Sequence, residues 1–332
     1  MSTQARYVAV DGMGGDFAPH AVIEGVLDAA RSGVPIKLFG PEKKMARYLQ
    51  EQCPEWKTLD IVIVDASEVV GMAEEPVYAV RKKAESSLVK AVHAVARGEA
   101  HAVFSAGNSG ALMAAALFTL GRQEGIDRPA IAGLLPTLKG SVIALDLGAN
   151  VDCRPHFLEQ FAHMGSAYAQ KLLGIAEPRV GILSNGAERG KGSLLVKQAA
   201  ALLEESNLHF IGNVEPIDII NHGADVIVCD GFSGNVLLKT MEATAAMIKH
   251  AFANELSQGG VVRDQAEADR VRTMLELALR SLDERFGEAA QSGARLLGVN
   301  GIVLVGHGSA HALSISRSLK KAYNIILAEM PK

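Results

Sequence analysis

The stretch ADVIVCD at residues 224–230 is apolar on both faces of a strand and ends in a carboxylic acid. IVIV at residues 61–64 and IVLV at residues 302–305 share this double-sided pattern. Strands buried from both sides are typical of largely parallel sheets, which carry helices on both faces. Helical patterns separate these runs, so the sequence predicts an α/β protein with a three-layer α/β/α sandwich. Ten strands are predicted, at residues 7–11, 36–40, 59–65, 102–105, 131–135, 142–147, 180–184, 209–212, 224–230 and 301–306.

Composition narrows the class of protein. Of 332 residues, 48% are hydrophobic and 33 are glycine, which suits a large packed core. The net charge of −4 argues against a globally basic nucleic-acid binder. Three scattered cysteines, Cys53, Cys153 and Cys229, form neither a disulfide framework nor a zinc motif. With no signal-peptide pattern and no long apolar run, we expect a cytoplasmic protein that at most touches a membrane surface.

Two helical regions stand out. Residues 77–97 predict one helix with an apolar stripe and an opposite basic stripe, for which an ordinary solvated face is the alternative. Residues 236–285 predict a helical hairpin that breaks at SQGG, residues 257–260. Its apolar stripes need a partner, and a second subunit is the expected one. We expect residues 1–332 to form a single α/β/α catalytic domain from which this hairpin projects.

Polar, glycine-rich clusters follow the predicted strands. Ligands of doubly wound sheets bind at the carboxyl ends of strands, where glycine admits a ligand and a helix start offers N–H groups to an anion. The side chains available there are Asn108, Asn150, Asn235, Lys191, Lys239 and His307, which suit a phosphate and a developing oxyanion. The clusters lie at residues 11–16, 105–110, 146–150, 185–192, 230–235 and 306–309.

Several stretches come close to known functional motifs without matching them, which argues against the chemistry of each motif. Residues 186–193 miss the Walker A spacing, residues 11–16 lack GxGxxG, and the two GxSG sequences are one residue short of a nucleophile elbow. Histidine spacing gives no support for a metal, and no cofactor is expected. Cys229 is either a nucleophile or a small core residue.

Five passages together resemble the phosphate acyltransferases of bacterial phospholipid synthesis, the PlsX family. They span nearly the whole chain. Two stretches depart from the family pattern, SNGAERGKG at residues 184–192 and FGEAAQSG at residues 286–293. The matching passages are VAVDGMGGDFAP (8–19), SAGNSGALMAAAL (105–117), DLGANVDCRPHFLEQFAHMG (146–165), CDGFSGNVLLKTMEA (229–243) and LLGVNGIVLVGHGSAHA (296–312).

The resemblance implies that orthophosphate attacks the thioester of a long-chain acyl–acyl carrier protein, which gives acyl phosphate and free carrier protein. It also implies a fold like isocitrate and isopropylmalate dehydrogenases, a homodimer, and a location in the cytoplasm and at the inner face of the membrane. The acyl phosphate would pass to a membrane glycerol-3-phosphate acyltransferase. The hairpin tip, residues 252–262, is a candidate for lipid contact.

These implications assign candidate roles. The alternatives are a short-chain phosphate acyltransferase that uses acyl-CoA, a non-catalytic organiser of carrier protein at the membrane, and a nicotinamide-dependent dehydrogenase of the same fold. The candidate catalytic residues are Asn108, Lys191, Asn235 and His307. The candidate phosphate- or substrate-binding residues are Asp11, Gly14, Gly15, Asp16, Ser105, Gly107, Ser109, Gly110, Asp146, Asn150, Asp230, Ser233, Gly234 and Lys239. The candidate docking residues for the acidic carrier protein are Arg81, Lys82, Lys83, Lys90 and Arg97.

Overall fold

A computed structural model describes residues 5–257, 269–270, 273–274, 277–278 and 293–329. Contacts within the chain group it into two units, one of residues 1–133 and 291–332 and one of residues 134–290. The single catalytic domain expected from the sequence stays a prediction.

The first unit is built on a mostly parallel sheet. In order across this sheet, its strands are β3, β2, β1, β4, β11, β10 and the start of β5. Among the described strands of this sheet, only β10 runs antiparallel to both of its neighbours, β11 and β5. The bounds are β1 Val8–Asp11, β2 Ile36–Gly40, β3 Ile61–Asp65, β4 Ala102–Ser105, β5 Ala130–Thr137, β10 Ala294–Leu297 and β11 Ile302–Val305.

Helices cover this sheet through their apolar stripes. The α1 stripe includes Val22, Ile23 and Val26, which are buried with Phe104 of β4 in one apolar cluster. Burying such side chains supplies most of the driving force for folding. The helices are α1 His20–Arg31, α2 Glu42–Gln52, α3 Pro76–Lys82, α4 Ser87–Ala96, α5 Ser109–Thr119 and, last in the chain, α10 Ala312–Glu329.

The second unit has its own strands and helices. Its strand order is the end of β5, then β6, β9, β7 and β8, with parallel pairing among the last four. The strands are β6 Gly140–Leu145, β7 Val180–Leu183, β8 Phe210–Val214 and β9 Val226–Val228, and the helices are α6 Pro155–Leu173, α7 Leu194–Glu205, α8 Pro216–Ile220 and α9 Gly231–Ser257.

Helix α9 is the first arm of the predicted hairpin, and it begins at Gly231, before the predicted start at residue 236. Residues 269–270, 273–274 and 277–278 are helical. Of the break predicted at residues 257–260, Ser257 lies in α9. Residues 258–260, Val261 and Val262 of the tip, and residues 286–292 lie outside the described residues. Among the described helices, none has both the length and the apolar character that crossing a membrane requires.

The single helix predicted over residues 77–97 is wrong. The chain forms α3 and α4 instead, with Lys83 at the end of α3. Ser86 caps α4 because its hydroxyl accepts a hydrogen bond from the Val89 N–H at 3.4 Å. The shared apolar periodicity of the two helices concealed this break. Strand β10 was not predicted, since its sequence ARLL is short and shows no alternation.

An ion pair between a partly exposed arginine and a buried carboxylate stabilises the second unit at the start of β9. The Arg179 side chain donates to both oxygens of Asp225, at 3.0 and 2.9 Å, and to the carbonyls of His222 and Gly223. Burial raises the pKa of Asp225, but the hydrogen bonds from Arg179 outweigh burial and leave that pKa below its ordinary value.

We expect Arg179→Met to lower the free energy of unfolding by about 3 kcal/mol, because it leaves a buried carboxylate without its partner. The exposed pair of Arg189 and Glu204 provides the control, and Arg189→Met should cost less than about 0.5 kcal/mol. Urea unfolding at pH 7 measures both. The Arg179→Met effect should shrink as the pH falls through the lowered pKa of Asp225, since the pair stabilises only while Asp225 is ionised. Equal effects of the two substitutions would contradict this interpretation.

Candidate active site

In the first unit, the site is built around the buried carboxylate of Asp11, at the end of β1. Its Oδ1 accepts hydrogen bonds from the Ser87 hydroxyl at 2.5 Å and the Met13 N–H at 3.2 Å. Its Oδ2 accepts from the Ser105 hydroxyl at 2.7 Å. Burial raises the pKa of Asp11 above its ordinary value, although the three hydrogen bonds act in the opposite direction. The Asp11 carboxylate therefore acts as a hydrogen-bond acceptor for the chain segments around it.

Two loops close over Asp11. The Gly107 N–H donates to the Ser105 hydroxyl oxygen at 3.0 Å, so that hydroxyl bridges the carboxylate and the loop before α5. Gly14 lies so close that a Cβ placed there would stand 2.5 Å from Asp11 Oδ2 and 2.8 Å from the Gly107 nitrogen. The loop of residues 11–16 needs glycine at this position to pack against the loop of residues 105–110.

Asn108 caps α5 and also clamps a second loop. Its Oδ1 accepts from the Ala111 N–H at 3.0 Å. Its Nδ2 donates to the carbonyls of Met72 at 3.2 Å and Glu74 at 2.9 Å. The side chain is committed to structure, which argues against the predicted role of Asn108 as an oxyanion donor.

The first turn of α5 supplies amide donors for an anion. Helix geometry provides no carbonyl for the N–H groups of a first turn. The Ala111 N–H is taken by Asn108, so the donors that this turn offers to an anion are the N–H groups of Ser109 and Gly110. Ser109 is exposed at this point, and its hydroxyl adds a third donor.

His307 follows β11, the strand next to β4. The two strands pair in register at Val305 and Ser105, and the Gly306 N–H donates to the Ser105 carbonyl at 2.8 Å. The Ser309 N–H donates to His307 Nδ1 at 3.3 Å, and the Ser309 hydroxyl lies 2.8 Å from the same nitrogen. Since a backbone N–H can only donate, Nδ1 accepts, and neutral His307 carries its proton on Nε2.

The second unit repeats the carboxylate arrangement at the end of β6. Asp146 is fully buried and accepts hydrogen bonds from the N–H groups of Gly148 at 3.2 Å, Ala149 at 2.9 Å and Asn150 at 2.6 Å. The Asn150 side chain donates to the same carboxylate at 2.8 Å. Asn150 is therefore engaged with Asp146.

The start of α9 packs against this loop. Asp230 accepts from the Ser233 N–H and from the Ser233 hydroxyl, both at 2.8 Å. A Cβ on Gly234 would stand 2.0 Å from the Asp146 carbonyl oxygen, so only glycine fits there. Asn235 is exposed one residue later, beside Gly148.

The cysteines of this unit are poor nucleophiles. Cys229 is fully buried, and burial with the nearby Asp146 and Asp230 raises the pKa of its thiol well above the ordinary value. Burial and Asp146 raise the pKa of Cys153 to about 12. Because the thiolate is the reactive form, neither cysteine is suited to covalent catalysis.

The remaining predicted residues lie on the surface. Lys191 is exposed in the loop before α7, and Lys239 pairs with Glu242 at 2.9 Å. Asp16 is exposed, and its N–H donates to the Gly308 carbonyl at 2.8 Å. Gly15, next to Asp16, has a positive φ of 108° that favours glycine.

The predicted docking residues fall into two groups. Lys83, Lys90 and Arg97 each pair with a nearby carboxylate, at 2.5, 3.0 and 2.6 Å. Arg81 lies 5.4 Å from the ring centre of Phe118, and Lys82 lies 5.9 Å from that of Tyr78. Both rings are more than half exposed.

Each unit thus holds one group of the predicted site residues. Ser87, which is buried against Asp11, is not among the predicted site residues. The Ser-Ser pair before LVKA is the sequence signal for a helix start there. Among the described residues, no cluster of three or more metal-ligating side chains is found. The first unit holds Asp11, Gly14, Gly15, Asp16, Ser105, Gly107, Asn108, Ser109, Gly110 and His307, and the second holds Asp146, Asn150, Lys191, Asp230, Ser233, Gly234, Asn235 and Lys239.

Known proteins resemble this chain over nearly its whole length. A family described as fatty acid synthesis protein matches residues 7–332. A phosphate acyltransferase of Desulforamulus reducens is 48% identical over 316 residues, which are 95% of this chain and 92% of that protein.

Solved structures show the same fold at low sequence identity. A phosphotransacetylase from Streptococcus pyogenes aligns with a TM-score of 0.61 at 16% identity, over 98% of this chain and 95% of that one. A 4-hydroxythreonine-4-phosphate dehydrogenase from Klebsiella pneumoniae aligns with a TM-score of 0.55 at 14% identity, over 97% and 99%. These two structures confirm the predicted α/β fold class.

The raised thiol pKa values predict resistance to alkylation. We expect native protein at pH 8 to keep its activity and its unmodified mass through an hour of iodoacetamide treatment, because Cys153 and Cys229 are protonated at that pH and Cys53 is buried. Protein unfolded in urea provides the control and should react at all three cysteines. Rapid loss of native activity with one alkylated site would contradict the assignment.

Proposed function

This chain belongs to the fatty acid synthesis protein family, whose curated relatives are phosphate acyltransferases, and we propose that it transfers a long-chain acyl group from acyl–acyl carrier protein to orthophosphate. The chain is an acyltransferase. The products of the proposed reaction are acyl phosphate and the free thiol of the carrier protein.

The observation that supports this proposal is that the carboxylates of Asp11 and Asp146 are already hydrogen-bonded within the protein. Asp11 accepts hydrogen bonds from Ser87 and Ser105, and Asp146 accepts them from its own loop, so neither is placed to act as a general base. What the first unit offers a ligand is the amide-rich start of α5. Amide N–H groups at a helix start bind anions, and orthophosphate is an anion that needs no base to become a nucleophile.

The first unit supports a direct transfer. Phosphate held by the Ser109 and Gly110 amides presents an oxygen to the thioester carbonyl carbon, and a carbon–oxygen bond forms. The carbon–sulfur bond then breaks, and the sulfur leaves with the electron pair. His307 lies beside the loop of residues 105–110, and its Nε2–H donates a hydrogen bond to the departing thiolate, which takes its proton from solvent. The roles of Lys191 and Asn235 stay predictions.

Docking of the carrier protein is proposed at Arg81 and Lys82. Lys83, Lys90 and Arg97 have nearby carboxylates that offset their charges, whereas Arg81 and Lys82 lie over aromatic rings. Positive charge beside exposed Tyr78 and Phe118 suits an acidic protein with an apolar contact surface.

A second copy of the chain is proposed to cover α9. Met247, Ile248 and Phe252 are exposed along it, and burying such side chains between two copies would be favourable. The location at the membrane and the transfer of acyl phosphate to a membrane glycerol-3-phosphate acyltransferase stay predictions.

The direct test compares acyl donors. We expect purified protein with orthophosphate and palmitoyl–acyl carrier protein to form palmitoyl phosphate and free thiol in equal amounts. Palmitoyl-CoA should give a kcat/KM at least about tenfold lower, because it lacks the docking protein. Phosphorus NMR detects the product. A preference for acetyl-CoA would favour the short-chain alternative, and no phosphate-dependent thiol release would favour the non-catalytic one.

The docking proposal predicts that two matched pairs of substitutions change the KM for acyl–carrier protein by different amounts. Arg81→Gln with Lys82→Gln should raise the KM for acyl–carrier protein about tenfold at low salt, through loss of long-range attraction. Lys90→Gln with Arg97→Gln removes the same formal charge and should change that KM less than about twofold. High salt should erase the difference. Equal effects of the two pairs would contradict the assignment.

A further inference from the structure

We propose that Ser87 is a positioning residue that holds the phosphate-binding loop in place through Asp11 and Ser105. The loop meant here is residues 105–110, which lead into α5. The inference rests on the proposed function in one respect, namely that orthophosphate is the ligand of this loop. Ser87 itself lies at the start of α4 and touches no substrate.

The three side chains form one continuous path of hydrogen bonds. Ser87 donates to Asp11 Oδ1 at 2.5 Å, and Ser105 donates to Asp11 Oδ2 at 2.7 Å. The Gly107 N–H then donates to the Ser105 oxygen at 3.0 Å. All three side chains are 2% exposed or less.

The direction of each bond along this path follows from chemistry. A backbone N–H can only donate, so the Ser105 oxygen accepts from Gly107 and must direct its own proton elsewhere. That proton goes to Asp11, which accepts it only on an unprotonated oxygen. The orientation of Ser105, and with it the anchoring of Gly107, depends on Asp11 remaining a fully hydrogen-bonded carboxylate.

Ser87 is the donor that keeps Oδ1 satisfied. Without it, Oδ1 retains only the Met13 N–H at 3.2 Å. A buried carboxylate that lacks donors is costly, and the Ser105 hydroxyl relieves it by turning toward Oδ1 in a new rotamer. That change competes with the bond that holds Gly107. The amides of Ser109 and Gly110, two and three residues along, then lose their fixed direction.

Ser86 provides an unusually close control. It is also fully buried, and it belongs to the same helix start. Its hydroxyl accepts from the Val89 N–H at 3.4 Å as the N-cap of α4. Ser86→Ala therefore removes a buried hydroxyl and a helix cap beside Ser87 while leaving the bond from Ser87 to Asp11 in place.

The experiment compares wild type, Ser86→Ala and Ser87→Ala. Calorimetric titration with inorganic phosphate measures binding, and steady-state assays measure the KM for phosphate and the KM for palmitoyl–carrier protein. Thermal unfolding of each protein reports stability. We expect Ser87→Ala to weaken phosphate binding and raise the KM for phosphate about tenfold, because small displacements of binding groups are enough for such losses. The KM for the carrier protein should stay within about twofold, since the docking contacts are unchanged.

Ser86→Ala should lower the unfolding temperature yet keep wild-type phosphate binding and both KM values. Wild-type phosphate binding and KM in Ser87→Ala would overturn the proposal, as would equal losses in the two variants. The calorimetric titration measures phosphate binding without turnover, so its outcome can be judged separately from the proposed function. If wild type binds phosphate but forms no acyl phosphate, the proposed function fails, and the binding of phosphate to Ser87→Ala still decides the role of Ser87.

Discussion

A buried carboxylate at the end of a parallel strand, hydrogen-bonded by the chain segments around it, is the interaction on which the rest of the candidate site depends. Asp11 in the first unit and Asp146 in the second show it independently. A buried charge is tolerated only when hydrogen bonds compensate for lost hydration, so each carboxylate dictates the course of the chain around it. Glycines 14 and 234 are required because those chains must approach closely.

The hydrogen bonding of these carboxylates also limits which reactions the site can support. Once the carboxylates are engaged and the thiols of Cys153 and Cys229 are held protonated, no side chain among these is activated to attack a thioester. The amides at the start of α5 suit an anion. An enzyme built this way needs a substrate that is already a nucleophile, which orthophosphate is. In the proposed reaction, positioning and electrostatic stabilisation account for the rate enhancement.

The sequence predicted much of the fold because double-sided apolar strands and glycine-rich loops are local signals. It located ten of the strands and the loops at residues 11–16, 105–110 and 146–150. It could not show that the Asn108 amide is committed to carbonyls more than thirty residues away, or that Ser87 reaches Asp11 across 76 positions. Such contacts arise from tertiary packing. The helix break at Ser86 was missed because apolar periodicity continued across it.

In the proposed reaction, phosphate attacks the thioester directly and no protein side chain is acylated. Rapid mixing of enzyme with palmitoyl–acyl carrier protein in the absence of phosphate, followed by thiol titration and intact-protein mass spectrometry, tests it most directly. The account predicts no burst of thiol and no protein carrying a palmitoyl group until phosphate is added. A stoichiometric burst of thiol together with a palmitoylated protein would contradict it.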